Sequence, residues 1–470
     1  MPSPRVTLDP MSVQSVSPPR DQSRRTVVAS VIATVALVVA FGGDGWRNLL
    51  GWPGYIALVL LVAAACGIVL VRSRPRVRWS TTPKALVAFL GLAVLSLAWS
   101  AYPGATASTL LGTLLTTTVG CTLALALDWH AFVRALGTSL RFLIGLSLAF
   151  ELVVAFIVRQ PVPRWWDPVG EDTALLNLWS RNVLLEGDRI QGWVGNANLL
   201  AIIALLGIVV FGVQLAERSV TRTSGYGWLA LAAITFGLTR SSTMMIAAVA
   251  CIVVLGAVLL ARRAGPSGRL GLYGAGLAAA AAVAVVAVFF RDAALSALGK
   301  SSDLTGRLDI WADVVALAER RPVFGWGYSS PWLPGAVPFD EPVVRNGVEQ
   351  LQAHNAWLDV WMQLGIVGAV LFAGIVVSVV WRCWFLAIDR PRVGLVDDRP
   401  YSTTSILPLL VVVVLVVQSL MESRILVESG WVLLVALAVA TKARPVIERP
   451  VVEKPLVERR VTDRAAPGRA

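Results

Sequence analysis

The stretch AWLDVWMQLGIVGAVLFAGIVVSVVW (Ala356–Trp381) is almost entirely apolar and is long enough to cross a lipid bilayer as a helix. Immediately before it lies a polar stretch, from about Arg291 to His354, which carries arginines, tryptophans and one of the two histidines of the chain. Further apolar runs lie on both sides of this polar stretch. We expect the chemistry of the protein to lie in a polar loop of this kind, between two membrane spans.

The composition is typical of a membrane protein with many helical spans. Of the 470 residues, 56% are hydrophobic and only 15% are charged, whereas soluble proteins carry about 25% charged residues. The apolar runs do not alternate with polar residues, which excludes a membrane β-barrel. The net charge of +12 is better explained by arginines in cytoplasmic loops, which set the orientation of a membrane protein, than by nucleic-acid binding. The four cysteines lie in or beside apolar runs and are interpreted as small core residues.

We predict an all-α, polytopic membrane protein with about twelve transmembrane helices. The distribution of Lys and Arg between the loops predicts that the N- and C-termini are both cytoplasmic. A large, partly helical extracytoplasmic loop then lies between helices 9 and 10. The predicted spans are approximately 26–41, 55–71, 84–99, 106–127, 142–158, 196–214, 226–238, 243–261, 270–290, 356–381, 404–421 and 431–441.

The chain divides into a membrane domain and two tails. Residues 1–25 are rich in Ser, Pro and Arg and predict a disordered cytoplasmic tail. Residues 26–441 form the membrane domain, with long outer loops at 159–195 and 291–353. Residues 442–470 carry proline and alternating charge, which predicts a second disordered cytoplasmic tail.

The first long outer loop ends in RIQGWVGNANLLA (Arg189–Ala201). Its glycines Gly192 and Gly195 allow the backbone to turn sharply into the membrane. Asn196 or Asn198 can cap the helix that follows, and the N-terminus of that helix is a favourable site for an anion. Taken alone, the motif favours a simpler interpretation, in which the arginine reaches lipid headgroups and the asparagines only cap the helix.

Arg240 lies in a very short outer turn, TRSS (Thr239–Ser242), between two apolar runs. An arginine so close to the hydrocarbon needs an anion or a carboxylate to offset its charge. Binding of a substrate anion and anchoring to lipid headgroups explain this position about equally well.

The second long outer loop holds the main group of candidate residues. The segment from about Gly306 to Glu319 predicts an amphipathic helix at the membrane surface, with Leu308, Trp311, Val315 and Ala318 on its apolar face. Arg307 lies at the start of this helix, and Pro322 ends it. The glycines of the following VFGWGY do not form a nucleotide fingerprint, since no strand precedes them.

Arg189, Arg307 and His354 together suit one type of chemistry. The planar guanidinium of arginine binds phosphate oxygens in a bidentate manner and stays charged at any relevant pH. Histidine titrates near neutrality and can take a proton from a hydroxyl group. The three residues therefore suit a phosphate or diphosphate leaving group and a hydroxyl nucleophile. The sequence has no DxD motif and no group with metal-ligand spacing in its outer loops, so we expect the arginines to take the place of a metal.

Several motifs in one order resemble the O-antigen ligase/polymerase superfamily. They are RIQGWVGNANLLA, TRSS, GRLDIW (Gly306–Trp311), RPVFGWGY (Arg321–Tyr328), HN (His354–Asn355) and LGIVGAVLF (Leu364–Phe372). The resemblance covers the chain from about Arg189 to Phe372. One departure is Ala197, which stands where the family often has a proline between two asparagines.

The resemblance implies an integral-membrane glycosyltransferase. It implies an undecaprenyl-diphosphate-linked glycan as donor and a glycan or glycolipid as acceptor, at the outward face of the bacterial cytoplasmic membrane. His354, Arg307 and Arg189 match the catalytic positions of the family. The candidate substrate-binding residues are Arg240, Asn198, Arg321, Trp326, Tyr328 and Asn355. No metal, no cofactor and no nucleic acid is expected.

The type of enzyme stays open at this point. A ligase would join the glycan to a different acceptor, whereas a surface polysaccharide polymerase of the same superfamily would join it to another lipid-linked repeat unit. A transporter or flippase of lipid-linked or organic anions is the alternative from another class. A transporter is expected to place its charged groups near the bilayer midplane, and here they lie in outer loops.

Overall fold

The computed structural model describes residues 20–164, 178–289, 305–333, 335–339, 344–345, 348–390, 392–393, 397–398, 400–443 and 447–448. These residues form thirteen α-helices. The helices are α1 (Arg20–Phe41), α2 (Gly43–Ser73), α3 (Lys84–Leu95), α4 (Pro103–Leu125), α5 (Trp129–Val153), α6 (Ala197–Ala216), α7 (Arg222–Thr239), α8 (Ser242–Arg263), α9 (Pro266–Phe289), α10 (Thr305–Arg320), α11 (Ala356–Ile388), α12 (Leu407–Ser419) and α13 (Glu428–Ala443).

The structure is that of a mostly helical, multi-pass membrane protein. Six of its helical segments are long and apolar enough to cross a bilayer, and three shorter segments are also apolar. Each predicted span overlaps one of these thirteen helices, and α10 is the additional one. The count of twelve spans, the location of the termini and the loop topology stay predictions. The predicted tails, residues 1–25 and 442–470, lie almost wholly outside the described residues.

The strands in the described residues are only two or three residues long. β1 (Val162–Pro163) pairs with β2 (Leu178–Ser180), and β3 (Val344–Arg345) pairs with β4 (Val348–Glu349), both antiparallel. β5 (Arg392–Val393) lies between antiparallel β6 (Asp397–Asp398) and parallel β7 (Ile447–Glu448).

Helix α6 lies at the centre of the bundle. In its most apolar stretch 72% of the residues are buried, against 22–39% in the other five long spans. A helix that is apolar all round fits such a central position. It packs against α5, α7, α8 and α12, so its first turn lies among several other helix ends. Asn196 caps this turn by accepting hydrogen bonds from the backbone N–H groups of Asn198 (2.8 Å) and Leu199 (3.2 Å).

Helix α11 is broken at Gly365, where the backbone is left-handed (φ +66°). In a continuous helix, the N–H groups of residues 366 and 367 would bind the carbonyls of residues 362 and 363. Here Ile366 N–H binds Pro322 O (2.8 Å) and Val367 N–H binds Val323 O (3.4 Å).

The freed carbonyls of α11 bind the same outer segment. Met362 O accepts from Trp326 N–H (3.1 Å), and Gln363 O accepts from Gly327 N–H (2.9 Å). A Cβ at Gly365 would lie 2.1 Å from the Val323 backbone, and one at Gly325 would lie 2.4 Å from the Gln363 backbone. The motifs RPVFGWGY and LGIVGAVLF are therefore partners of each other, and their glycines permit the two backbones to meet.

Helix α10 agrees closely with its predicted bounds, but its buried face differs from the predicted one. Ile310, Val314 and Ala318 are buried against α11 and the outer loop, and of the predicted apolar face only Ala318 is fully buried. Trp311 is half-buried and donates its indole N–H to Ala353 O (3.0 Å). The buried face is therefore that of Ile310, Val314 and Ala318, which corrects the predicted apolar face of Leu308, Trp311, Val315 and Ala318. The location of the helix at the membrane surface stays a prediction.

Candidate functional site

Three predicted residues that are distant in sequence converge on the carboxylate of Glu422, between α12 and α13. Asn198 Nδ2 donates to Glu422 Oε1 (2.9 Å), and Arg307 Nη2 donates to the same oxygen (3.3 Å). The other oxygen, Oε2, lies 3.0 Å from His354 Nδ1. Arg189 Nη2 donates to Asn198 Oδ1. We call Arg189, Asn198, Arg307, His354 and Glu422 the Glu422 cluster.

Arg189 is held by the turn that precedes α6. Its Nε donates to Thr239 O (3.1 Å), at the end of α7. The turn itself is fixed by Glu151 of α5, which accepts hydrogen bonds from Gln191 N–H (3.2 Å) and Gly192 N–H (2.7 Å). Gly192 and Gly195 have φ of +63° and +68°, so the predicted sharp turn at these glycines is confirmed.

His354 lies immediately before α11 in a left-handed backbone conformation (φ +49°). The residue next to it, Ala353, donates its N–H to the buried carboxylate of Asp359 (3.2 Å to Oδ1). Asp359 also accepts from the hydroxyl of Ser423, the neighbour of Glu422. One carboxylate therefore fixes the backbone beside both members of the His354–Glu422 pair.

The imidazole of His354 has one nitrogen on protein carboxylate and one towards the outer loop. Nδ1 faces Glu422, and Nε2 lies 3.1 Å from Gln350 Oε1. Both neighbours are oxygen acceptors, and the ionised carboxylate attracts the imidazole proton more strongly than the neutral amide does. The proton is therefore favoured on Nδ1, and Nε2 presents a lone pair once a substrate displaces Gln350. The side chain of His354 is 23% exposed, so a substrate can reach it.

The electrostatics of the Glu422 cluster favour an ionised glutamate. Burial by itself raises the pKa of Glu422, but the hydrogen bond with His354 and the charges of Arg307 and Arg424 outweigh burial and hold the pKa below the ordinary glutamate value. Glu422 is therefore a permanent anion near neutral pH. It can hold the histidine and the arginine in place before a substrate arrives.

Arg240 lies beside the cluster but is not part of it. Its side chain is exposed, and it makes no hydrogen bond or ion pair within the described residues. The next residue, Ser241, donates its hydroxyl to Asn198 Oδ1 (2.9 Å). The short turn after α7 therefore contacts the cluster through Ser241, while the Arg240 guanidinium stays available to an anion.

The other predicted substrate-binding residues are not brought to Glu422. Asn355 caps α11 by accepting from Trp357 N–H (3.0 Å) and Leu358 N–H (3.3 Å). Arg321 is exposed and stacks on the ring of Trp326 (4.2 Å). Trp326 is only 7% exposed and donates its indole N–H to Leu317 O (2.8 Å). These contacts favour capping and packing roles.

Tyr328 is the most deeply buried of the predicted substrate-binding residues. Its side chain is fully buried, its ring packs edge-on against Phe89, and its hydroxyl lies 3.3 Å from Thr113 Oγ1. Burial raises the pKa of Tyr328 to about 12. In this position the phenol anchors the outer segment to α3 and α4, at a distance in the fold from the Glu422 cluster.

A second group of charges lies next to the first. Arg47 donates to Asp44 and to Glu428 Oε1 (2.7 Å), and Arg424 donates to Asp44 Oδ2 (2.8 Å) and Glu428 Oε2 (2.5 Å). We call Asp44, Arg47, Arg424 and Glu428 the Asp44 ring. It joins the start of α2 to the start of α13, and its member Arg424 lies two residues beyond Glu422.

Glu422, Asp359 and Ser241 are absent from the sequence-based prediction. Glu422 carries a recognisable signal, because it is an acid in a short turn (LMESRILVESG) between two apolar runs, where a charge needs a partner. Its partners could not be identified, since they lie 68 to 224 residues away. Within the described residues, no three His, Cys, Asp or Glu side chains come together as a metal site. Independence from metals stays a prediction.

Comparison with known proteins finds a family match for one part of the chain. Residues 227–373 match the family model of the O-antigen ligase. The resemblance to the O-antigen ligase/polymerase superfamily is confirmed. The match contains Arg240, Arg307 and His354, whereas Arg189, Asn198 and Glu422 lie outside it.

A curated relative points in the same direction. The exopolysaccharide production protein ExoQ of Rhizobium meliloti (strain 1021) is 30% identical over 101 residues, which are 21% of this chain and 23% of that protein. The aligned segment thus spans about a quarter of the relative's length. Family and relative together support a membrane enzyme of the ligase/polymerase type.

Proposed function

We propose that the protein transfers a glycan from an undecaprenyl-diphosphate carrier to an acceptor hydroxyl, at the outer face of the bacterial cytoplasmic membrane. The observation that carries the proposal is the convergence of Arg307, His354 and the Arg189–Asn198 pair on Glu422. The arginines that would bind a diphosphate and the histidine that would accept a proton from a hydroxyl then lie together, in loops and in the first turns of helices. A transporter would need such groups at the bilayer midplane.

The arginines bind the diphosphate of the donor. In the structure Arg307 uses one nitrogen, at 3.3 Å, to reach Glu422. Its remaining donors make no hydrogen bond within the described residues, so they can bind phosphate oxygens while Glu422 keeps the side chain oriented. Arg189 lies on the opposite side of Asn198, and exposed Arg240 lies in the adjacent turn. Donors fixed in this way stabilise the negative charge that develops on a departing diphosphate.

His354 and Glu422 activate the acceptor. Glu422 holds the proton of the imidazole on Nδ1, so Nε2 can accept the proton of the acceptor hydroxyl, which takes the place of Gln350. Asp359 positions the backbone on both sides of this pair. The charge that the imidazole gains during proton transfer is offset by the ionised Glu422.

The reaction is then a single in-line displacement. The acceptor oxygen forms a bond to the anomeric carbon, and its proton passes to His354 Nε2. The bond between the anomeric carbon and the diphosphate oxygen breaks, and its electron pair stays on the diphosphate beside the arginines. The configuration at the anomeric carbon is inverted, no metal takes part, and the carrier leaves as undecaprenyl diphosphate.

The acceptor decides between a ligase and a polymerase. A polymerase of a surface polysaccharide would use a second lipid-linked glycan as acceptor, and the name of the relative, an exopolysaccharide production protein, is compatible with that activity. The ligase alternative would use a glycolipid acceptor at the same site. Both need the same donor chemistry, so both predict the same response to changes in the Glu422 cluster.

The experiment that tests the proposal is glycan transfer by purified protein in detergent. An enzyme turns over without a sealed membrane, and a transporter does not. We expect His354→Ala to slow transfer by about 10²–10⁴-fold, the usual contribution of a general base. His130→Ala is the matched control, because His130 is the other histidine of the chain and is exposed in the first turn of α5. Equal activity of the two variants, or no transfer by the wild type with any lipid-diphosphate glycan, would refute the proposal.

A further inference from the structure

A second cavity lies at the far end of α11 from His354. Arg382 lies 17 residues beyond the break at Gly365, which at the helical rise places it roughly 25 Å along the second part of α11. The cavity has a volume of about 560 Å³ and lies between the start of α5, the end of α11, the start of α12 and the end of α13. In the predicted orientation this is the cytoplasmic end of the bundle.

The cavity contains a cation that no carboxylate neutralises. Half-buried Arg382 donates Nε to Thr441 Oγ1 (3.0 Å) and Nη2 to Ala438 O (3.3 Å). It forms no ion pair within the described residues. Glu217 accepts from Ser402 Oγ (2.8 Å) and Thr404 N–H (3.0 Å) instead. A half-buried charge without a counterion is costly, and an anionic ligand would remove that cost.

The remaining lining describes the shape of the ligand. Lys442, at the rim, adds a second cation that is exposed and has no carboxylate partner in the described part of the chain. Trp381 and Phe385 form an apolar wall, and Trp381 is 65% exposed on the outside of the bundle. Cations on one side and an apolar wall open to the surroundings on the other suit a molecule with an anionic head and a hydrocarbon tail.

We propose that this cavity binds the phosphate of an anionic phospholipid from the adjacent leaflet. The phosphate lies between Arg382 and Lys442, and an acyl chain lies along Trp381 and Phe385. Basic pockets between transmembrane helices on the cytoplasmic side are a recurrent form of lipid recognition. The proposal does not depend on the reaction at the Glu422 cluster, so either can fail without the other.

The test is thermal unfolding of the purified protein in detergent, titrated with phosphatidylglycerol, phosphatidylcholine or inorganic phosphate. We expect phosphatidylglycerol alone to raise the unfolding temperature in a saturable manner. The variant Arg382→Gln/Lys442→Gln should need about tenfold or more phosphatidylglycerol for the same shift, since each lost cation weakens attraction to an anionic lipid. The matched control is Arg222→Gln/Arg263→Gln, which removes the same charge from exposed positions outside the cavity.

Three results would overturn the proposal. They are an equal shift with phosphatidylcholine, an equal shift with inorganic phosphate, and an unchanged titration in the cavity variant. If Arg382→Gln does not yield folded protein, Lys442→Gln alone decides, because Lys442 is exposed and its replacement leaves the packing intact. Trp381→Ala keeps both charges and should still weaken the effect of phosphatidylglycerol, which a site for the phosphate alone would not show.

Discussion

The Glu422 cluster and the Asp44 ring lie two residues apart on the connection between α12 and α13, yet they are built differently. In the ring, two arginines and two carboxylates pair in full, and each arginine binds both acids. In the cluster, Arg307 reaches one carboxylate through one nitrogen at 3.3 Å, and a histidine shares that carboxylate. A balanced network holds helices together, whereas an incompletely paired one keeps donors available to a ligand.

After His354→Ala, the largest effect should follow from the loss of Arg307. We expect Arg307→Ala to lower the rate of glycan transfer by about 10²–10³-fold, because a fixed donor to the leaving group is lost. Yield and unfolding temperature should stay close to wild type, since Arg307 makes a single long contact. Arg320→Ala, which changes an exposed arginine at the other end of α10, is the control. Similar rates for the two variants would remove the distinction between cluster and ring.

Glu422→Gln should have the next largest effect. The amide keeps the size of the side chain but cannot offset charge on His354, so we expect transfer to slow by about 10²-fold or more. Activity assays of wild type and Glu422→Gln at neutral pH would measure this loss. A Glu422→Gln enzyme as fast as wild type would show that the carboxylate has no part in the reaction.

The pH dependence of stability gives a second test of the role of Glu422. The pKa of Glu422 is lowered in the folded protein, so its stabilisation is fully present above the ordinary glutamate pKa of about 4.3. It is lost as the pH falls through the lowered pKa. The difference in unfolding temperature between wild type and Glu422→Gln should therefore be constant from neutral pH to about pH 5 and shrink in stronger acid. A difference that grows in acid would contradict this.

In the Asp44 ring, substitution should affect stability more than chemistry. Asp44→Asn leaves Arg47 and Arg424 each short of one carboxylate, and we expect a loss on the order of 3 kcal/mol in the free energy of unfolding. Transfer per folded molecule should change little. Unfolding in detergent and activity normalised to folded protein would test both parts, and a strong loss of normalised activity would assign the ring to the active site.

The smallest effect is expected for Tyr328→Phe. The phenol is fully buried and its hydroxyl has one partner, Thr113, at 3.3 Å, so we expect a change in stability of about 1 kcal/mol and an unchanged transfer rate. A large fall in transfer rate with unaltered unfolding would restore Tyr328 to the substrate-binding residues.

The sequence was sufficient for the helices and for four members of the cluster, namely Arg189, Asn198, Arg307 and His354. Apolar runs predict helices because length and hydropathy are local properties, and the motifs around these four residues mark them as candidates. The structure brings Asn198, Arg307 and His354 to one carboxylate and Arg189 to Asn198. Their roles stay predictions. Glu422 could not be predicted as the common partner, since nothing local to its turn indicates which distant loops reach it.

The other differences between the predicted and the observed structure also arise from contacts between residues that are distant in sequence. The buried face of α10 is set by its partners on α11 and the outer loop, so Ile310 and Val314 are buried where the local pattern favours Leu308 and Val315. The break at Gly365 is also invisible in the sequence, because a glycine inside an apolar run is compatible with a continuous helix. Its cause is the segment 322–327, which binds the backbone there.

The exchange of backbone partners at Gly365 constrains how the protein is made. Four polar backbone groups of a hydrophobic segment find their partners only in residues 322–327, and each such group left unmatched in hydrocarbon costs several kcal/mol. In the predicted topology, the tenth span enters the bilayer as a regular helix and breaks when the translocated loop docks onto it. Maturation of the protein would then couple lipid insertion to folding on the far side of the membrane.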